Sequence, residues 1–162
     1  MSGARPTSLR HAMAHFATGV TVVTTLEDGH DHAMTANSVT SVSLDPRSSW
    51  SASSRTAAGM MLWSRRACGV SRSCRSGRDR RRPWLSTGGR PLYGQLSGIA
   101  HHRGELGVAL VDDALATLEC RTTALHEAGD HTIVVGEVLS SLADARRDDP
   151  LIYYRSRYTS TR

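Results

Sequence analysis

Two short groups of polar residues have the types and spacing that could hold a flat, hydrogen-bonding ligand. The first group is Thr35-Ala36-Asn37-Ser38, in which small side chains allow a planar ring to lie against the backbone. The hydroxyl and amide groups of this stretch can form hydrogen bonds with a ring edge or a polyol chain. The alternative is an ordinary polar strand face, for which such residues are common.

The second group surrounds a histidine. His131 follows the turn sequence Gly129-Asp130 and begins a predicted strand. Its ring either faces a ligand or is satisfied locally by its own hairpin. Near the C-terminus, Arg155, Arg157 and Tyr158 carry groups that can meet a phosphate or a ring. A solvated tail explains these three residues equally well.

Metal chemistry is not predicted. His101-His102 resembles a metal-binding pair, but no third ligand is evident, so a loop is predicted there. The three cysteines, Cys68, Cys74 and Cys120, are too few for a disulfide framework. Cys68 and Cys74 also lack the close pairing of a zinc knuckle.

The elements that must position these groups are mostly strands. A short amphipathic helix is predicted over residues 8–19, with Leu9, Ala12, Met13 and Phe16 on one face. The order of helix, hairpin, unpatterned middle, hairpin and strand favours a mainly β fold, an antiparallel sheet closed into a small barrel. Strands are predicted from β-branched runs and turn residues over residues 20–27, 32–44, 114–125, 131–142 and 150–158.

Length and composition place the chain in a broad class. A chain of 162 residues fits a single domain, 1–162, with a substantial core. No apolar run reaches membrane-spanning length, and residues 1–17 lack a signal-peptide pattern. We therefore expect a soluble, cytoplasmic protein that does not engage a membrane.

The net charge of +5 raises the possibility of nucleic-acid binding. The excess is confined to residues 65–82, which contain eight arginines and one aspartate, and the chain has no lysine. This block lacks the interleaved aromatic residues that stack on bases, because only Trp63 and Trp84 flank it. Nucleic acid is therefore not expected as a partner.

Five motifs carry a resemblance to a known family. The chain resembles the short-chain flavin reductases, the reductase components of two-component flavin monooxygenases. The motifs follow the order of that family and cover about two thirds of the sequence. They are FATGVTVVTT (16–25), AMTANSVTSVSLDP (33–46), LATLECR (115–121), AGDHTIVVGEV (128–138) and LIYYRSRY (151–158).

The resemblance implies an antiparallel split β-barrel of the FMN-binding type with short flanking helices. It also implies a homodimer with flavin at the subunit interface. The implied activity is hydride transfer from NADH or NADPH to FMN or FAD, with release of reduced flavin to a partner flavin-dependent monooxygenase. The alternative is a flavin-binding relative, or a damaged pseudoenzyme, without turnover.

The resemblance also implies roles for individual residues. His131 would lie at the nicotinamide face, and Arg155 and Tyr158 would meet a nucleotide phosphate or a ring across the dimer. No residue is required as a catalytic acid, because hydride passes directly from nicotinamide to flavin. The residues implied to contact flavin are Thr35, Ala36, Asn37, Ser38 and Ser41.

The segment 47–83 departs from the family pattern. After Asp45-Pro46 the family has a very apolar strand, whereas this chain continues with RSSWSASS. The length is about right while the residues are not, so two compensating shifts of reading frame are our preferred interpretation. A divergent Arg/Ser-rich insertion is the alternative. As written, the chain is expected to lack this strand, and so to fold poorly or bind flavin weakly.

Overall fold

The computed structural model describes residues 6–54, 67–72, 85, 91, 93–145 and 149–161. Within those ranges, one helix and twelve strands form, and no helix is long and apolar enough to cross a bilayer. In chain order they are α1 (Pro6–Met13), β1 (Thr18–Gly19), β2 (Thr21–Glu27), β3 (His30–Ala36), β4 (Val39–Leu44), β5 (Arg47–Ser54), β6 (Ala67–Arg72), β7 (His101–Arg103), β8 (Ala109–Val111), β9 (Ala116–Ala128), β10 (His131–Ala143), β11 (Ile152–Tyr154) and β12 (Arg157–Thr159).

The predicted first hairpin is confirmed. Strand β2 consists almost entirely of β-branched residues, which fit a pleated, buried surface. Asp28 and Gly29 both have positive φ, at 47° and 78°, as the two central residues of a type I′ turn require. The turn fixes the register, so Glu27 lies opposite His30 and the pairing continues through β2 and β3.

Seven strands form one antiparallel sheet in the order β3-β2-β6-β9-β10-β5-β4. The two edge strands, β3 and β4, are consecutive in the chain, and β3 also contacts β5. The sheet therefore curls until its edges approach one another without closing a continuous ladder. This architecture confirms the predicted mainly β, split-barrel fold.

The sheet buries apolar side chains on both faces. On the inner face, Val23, Ala36 and Val70 form one cluster, with Leu118 packed against it. On the outer face, Val22 and its neighbours pack under the segment that runs to β8. The members of this outer cluster are Val22, Ala33, Leu85, Leu96, Ile99, Ala109 and Val111. Strand β2 is therefore buried on both sides.

Two buried polar side chains fix the covering segment. Gln95 accepts a hydrogen bond from the backbone N–H of Ala33 at 2.7 Å, which satisfies a donor on the edge strand β3. The buried carboxylate of Glu119 accepts hydrogen bonds from the backbone N–H groups of Glu105 and Leu106, at 3.0 and 2.8 Å. Both interactions leave buried polar atoms paired.

Strand β5 corrects the expectation that segment 47–83 lacks a strand. Its backbone pairs with β4 on one side and with β10 on the other, from Arg47 to Ser54. Backbone hydrogen bonds do not depend on side-chain type, so the polar sequence does not prevent pairing. Of the Arg-rich block, residues 65–82, the structure describes only strand β6, Ala67–Arg72. The frame-shift interpretation stays a prediction.

Other predicted boundaries also change. The helix covers Pro6–Met13 and not residues 8–19, and Gly19 lies in β1 opposite Ile152. The predicted strand 32–44 divides into β3 and β4. The last predicted strand is a hairpin of β11 and β12. His101 and His102, predicted in a loop, begin the short strand β7.

Candidate functional site

A cleft of about 280 Å³ opens at the break between β3 and β4. Its walls are Val20, Thr35, Asn37, Tyr153 and Tyr158. The volume is close to the lower limit of ligand pockets, roughly 300 Å³. One amide, one Thr hydroxyl and two phenol groups surround a small apolar surface, which is the chemistry that binds an aromatic ring with polar edges.

The alternation of strand residues explains which side chains reach this cleft. Val20 directly precedes β2, and Thr35 and Asn37 are two residues apart, so both point to the same face. Ala36, between them, points the other way and is buried in the inner cluster. Of the predicted group, the structure brings Thr35 and Asn37 to the cleft, while Ala36 supports it from behind.

The tyrosine wall comes from the C-terminal hairpin. Tyr153 and Tyr158 are directly opposite on β11 and β12, and their rings make an edge contact with centroids 5.4 Å apart. The hairpin is attached to the sheet through β1, where Thr18 pairs with Tyr153. The Thr18 hydroxyl is buried and has no hydrogen-bond partner among the described residues.

Arg155 occupies the tip of the same hairpin, where it and Ser156 adopt positive φ values of 49° and 59°. Its backbone N–H donates to the carbonyl of Ala14 at 2.8 Å, which ties the hairpin tip to the end of the helix region. Its guanidinium lies over the ring of Tyr154, 5.5 Å from the centroid. Within this chain, Arg155 therefore lines a neighbouring surface and not the cleft.

His131 lies at the start of β10, half exposed, with its Nδ1 2.6 Å from the Asp130 carboxylate. The hydrogen bond to His131, followed by its charge, lowers the pKa of Asp130 below the usual value. The carboxylate holds the ring by one nitrogen and leaves Nε2 on the opposite side. The hydrogen bond within the hairpin that the sequence allowed is therefore present. It uses Nδ1, so the ring can still contact a ligand through Nε2.

The register places Asn37 and His131 at one end of the sheet. Val39 at the start of β4 pairs with Ser51 of β5, and Ser51 pairs with Val134 near the start of β10. Asn37, two residues before β4, and His131, the first residue of β10, therefore lie toward the same end of the sheet, with β5 between their strands.

Ser41 lies beside a second cavity of about 400 Å³ inside the barrel. Val70, Leu118 and Val138 form its apolar wall, and Ser49 lies on the β5 side. Ser48 and Ser49 of β5 border this cavity with short side chains. Ser38 is half-buried between the two strands and does not line either cavity.

Tyr153 was missed by the sequence analysis. A single terminal strand was predicted, in which Tyr153 and Tyr158 point to opposite faces. The Arg155-Ser156 turn instead folds the strand on itself and brings both rings to one face. The signal is the spacing of two tyrosines around a two-residue turn, although Arg-Ser lacks the Asn-Gly composition that marks such turns.

Comparison with known proteins identifies the family. Residues 13–162 match the flavin reductase like domain. A curated relative, an NADH-dependent flavin reductase from Rhodococcus, is 34% identical over 165 residues, covering 96% of this chain and 86% of the relative. Another, the reductase subunit HsaB of a flavin-dependent monooxygenase from Rhodococcus jostii, is 29% identical and covers 95% of this chain and 77% of that protein.

Solved structures agree with the sequence comparisons. The NADH:FAD oxidoreductase SgcE6 from Streptomyces globisporus superposes with a TM-score of 0.87 at 30% identity, covering 98% of this chain and 96% of that chain. BorF, the flavin reductase component of a bacterial two-component tryptophan halogenase, gives 0.84 at 36% identity, covering 96% and 98%. This chain therefore belongs to the flavin reductase like family.

Proposed function

We propose that this chain reduces flavin, FMN or FAD, with NADH and supplies the reduced flavin to a partner flavin-dependent monooxygenase. The observation that carries the proposal is the cleft at Asn37, which has an aromatic wall and polar edges in a chain of this family. The names of the relatives favour NADH as the donor. The relatives include both FMN and FAD reductases.

The residues of the cleft have separate roles in this proposal. The ring edge of the flavin accepts and donates hydrogen bonds at Asn37 and Thr35, and the tyrosine pair supports the ring surface. His131, held by Asp130, contacts the nicotinamide nucleotide from the adjoining hairpin. The bound flavin supplies the hydride acceptor, so the chain's own groups position the two rings and transfer no proton.

We also propose that five further predicted residues belong to the ligand site. They are Ala36, Ser38, Ser41, Arg155 and Tyr158. Tyr158 belongs to the cleft wall, and Ser38 follows the cleft residue Asn37 in the chain without lining the cleft itself. Ala36 keeps the backbone close to the ligand because its side chain is short and buried. Ser41 and Arg155 contact ligand only from the partner copy of a dimer.

An anaerobic assay tests the activity. The purified chain is mixed with NADH and either FMN or FAD, and the loss of oxidised flavin absorbance is followed. We expect flavin-dependent oxidation of NADH. A folded chain that binds flavin but gives no reduction above the rate without protein contradicts the proposal and favours the relative without turnover.

Substitutions assign the two ligands to the two hairpins. Tyr153→Ala should weaken flavin binding about tenfold, which corresponds to about 1.4 kcal/mol of lost ring contact. Tyr93→Ala removes an exposed tyrosine outside the cleft and serves as the matched control. His131→Ala should raise KM for NADH and leave flavin affinity unchanged, with His126→Ala as the control on the same hairpin. Equal effects on both ligands would contradict this assignment.

A homodimer is proposed from the apolar side chains that one copy leaves exposed. Leu9, Met13 and Phe16, predicted to share one apolar helix face, are 63, 53 and 64% exposed. On the edge strand β4, Val42 and Leu44 are 56 and 85% exposed. Exposed apolar groups of this density are typical of surfaces that associate.

Light scattering after size exclusion measures this association. Phe16→Asp should shift the mass from dimer toward monomer, whereas Leu142→Asp, an exposed position at the far end of β10, should not. A wild-type chain that runs as a monomer at all concentrations contradicts the dimer. We further propose that the chain is a single domain. We also propose that it acts in the cytoplasm, which cell fractionation tests.

A further inference from the structure

Two cysteines lie directly opposite each other in the middle of the sheet. Cys68 on β6 pairs with Cys120 on β9 in the antiparallel register. Both strands are flanked by further strands of the same sheet, so their spacing is fixed on both sides. The side chains of residues directly opposite in an antiparallel pair point to the same face, and here both thiols face the barrel interior.

The register satisfies the geometric requirement of a disulfide. Directly opposed residues of an antiparallel pair have Cα atoms about 4.5–5.5 Å apart. A disulfide needs Cα atoms about 4.4–6.8 Å apart, so the separation expected for the paired Cys68 and Cys120 lies within the required range. Both are free thiols in this structure.

The two thiols already interact with each other. A hydrogen bond to Cys120, together with burial, raises the pKa of Cys68. The same hydrogen bond lowers the pKa of Cys120, to which Ser49 also contributes. Cys120 is thus the better nucleophile of the pair, and Cys68 carries the proton between them.

The Ser49 side chain separates the barrel cavity from this pair. Cys120 itself is buried, but the Ser49 hydroxyl lies 3.9 Å from its sulfur and also lines the 400 Å³ cavity. Ser49 reaches the thiol across Gly136, which has no side chain to separate them. Cys68 is half-buried on the other side of the pair.

We propose that Cys68 and Cys120 are an oxidation site, at which hydrogen peroxide converts the two thiols into a reversible cross-strand disulfide between β6 and β9. Transient disulfides of this kind are the form in which cytosolic proteins use oxidised cysteine pairs. Reduced flavin that reacts with oxygen is one source of peroxide, and that source alone rests on the proposed function.

The reaction proceeds in two balanced steps. The Cys120 thiolate attacks one oxygen of hydrogen peroxide, the O–O bond breaks, and hydroxide leaves with the proton released by Cys120 as water. The Cys68 sulfur then attacks the Cys120 sulfur, the S–O bond breaks and the S–S bond forms. The second hydroxide takes the Cys68 proton, so two thiols and one peroxide give one disulfide and two waters.

Mass spectrometry of the folded chain tests this site. The variant Cys74→Ser removes the third cysteine, which lies outside the described residues, and leaves only the pair. After limited peroxide, we expect this variant to lose both titratable thiols and about 2 Da. A protease digest should contain one peptide linking residues 68 and 120, and a reductant should restore both thiols.

Two comparisons make the test specific to the folded geometry. Unfolded in urea, the same variant should form the link at least about tenfold more slowly, because the register no longer holds the sulfurs together. The double variant Cys68→Ser/Cys74→Ser should retain oxygen on Cys120 and show no link. The proposal is overturned if the folded pair keeps both thiols, or if it accumulates a sulfinic acid instead of the disulfide.

Discussion

Strands β2 and β5 occupy equivalent situations in one sheet, since each has a hydrogen-bonded neighbour on both sides. In β2, Thr21 to Thr25 are all buried, and clusters cover both faces. In β5, Arg47 is exposed, Ser48 is half-buried and only Ser49 among these three is buried, beside a cavity. Both strands are thus paired on two sides, while the buried side chains among the described residues of the two strands lie mainly in β2.

This difference separates two contributions to a strand. Backbone pairing sets position and register, and its net contribution is small because water competes for the same groups. Burial of aliphatic side chains contributes roughly 1.5–3 kcal/mol for each residue. We therefore expect substitutions around β2 to cost most, and substitutions in β5 to cost little or to stabilise.

The largest effect is expected at Gly69 of β6, which packs tightly against Thr24 of β2 and Ala109 of β8. A Cβ there would lie 2.6 Å from the Thr24 hydroxyl and 2.7 Å from the backbone oxygen of Ala109. Gly69→Ala should lower the free energy of unfolding by about 3 kcal/mol, measured by urea denaturation. Gly29→Ala has open space and only positive-φ strain, so about 1 kcal/mol is expected. Equal costs would show that packing beside β2 is loose.

The next effect is expected within β2 itself. Val22 is fully buried in the outer cluster, so Val22→Ala removes two methyl groups and leaves a cavity. A loss of about 2 kcal/mol in the free energy of unfolding is expected. Leu142→Ala deletes more atoms from a side chain that is 69% exposed and should change stability by less than about 0.5 kcal/mol. A larger loss for Leu142→Ala would reverse the comparison.

Filling the barrel beside β5 should stabilise the chain. Ser49→Val adds apolar volume at a buried position that borders the 400 Å³ cavity. We expect a gain of about 1 kcal/mol in the free energy of unfolding and an unchanged strand register. Ser41→Val, at an exposed position of the same cavity, is the control and should be neutral. A destabilised Ser49→Val would mean that the interior near β5 is already full.

The smallest effect is expected at the start of β10, where the surface contact between His131 and Asp130 orders the turn. Because His131 lowers the pKa of Asp130, the contact stabilises the folded chain above the unfolded pKa of this carboxyl, about 3.9. That contribution is lost as pH falls through the lower, folded pKa. NMR titration should show the Asp130 pKa rising in His131→Gln toward the value of a free carboxyl.

Much of the fold around β2 follows from local sequence. A run of β-branched residues and an Asp-Gly turn are enough to predict the first hairpin, while its register, with Glu27 opposite His30, came from the structure. The stretch at Asn37 could be selected because its small and polar residues suit a flat ligand. Strand β5 could not be predicted in this way, because its side chains carry no apolar pattern and its position comes from β4 and β10.

The amino-acid sequence by itself determined the family, the strand-rich class and two hairpins, of which the first supplies Thr35 to the cleft. Only the tertiary structure decided that Tyr153 joins Asn37 in one cleft, that Arg155 stacks outside it, and that Cys68 faces Cys120. The physical reason is range. Turn chemistry and alternation act over a few residues, whereas these contacts depend on how distant strands align within one curved sheet.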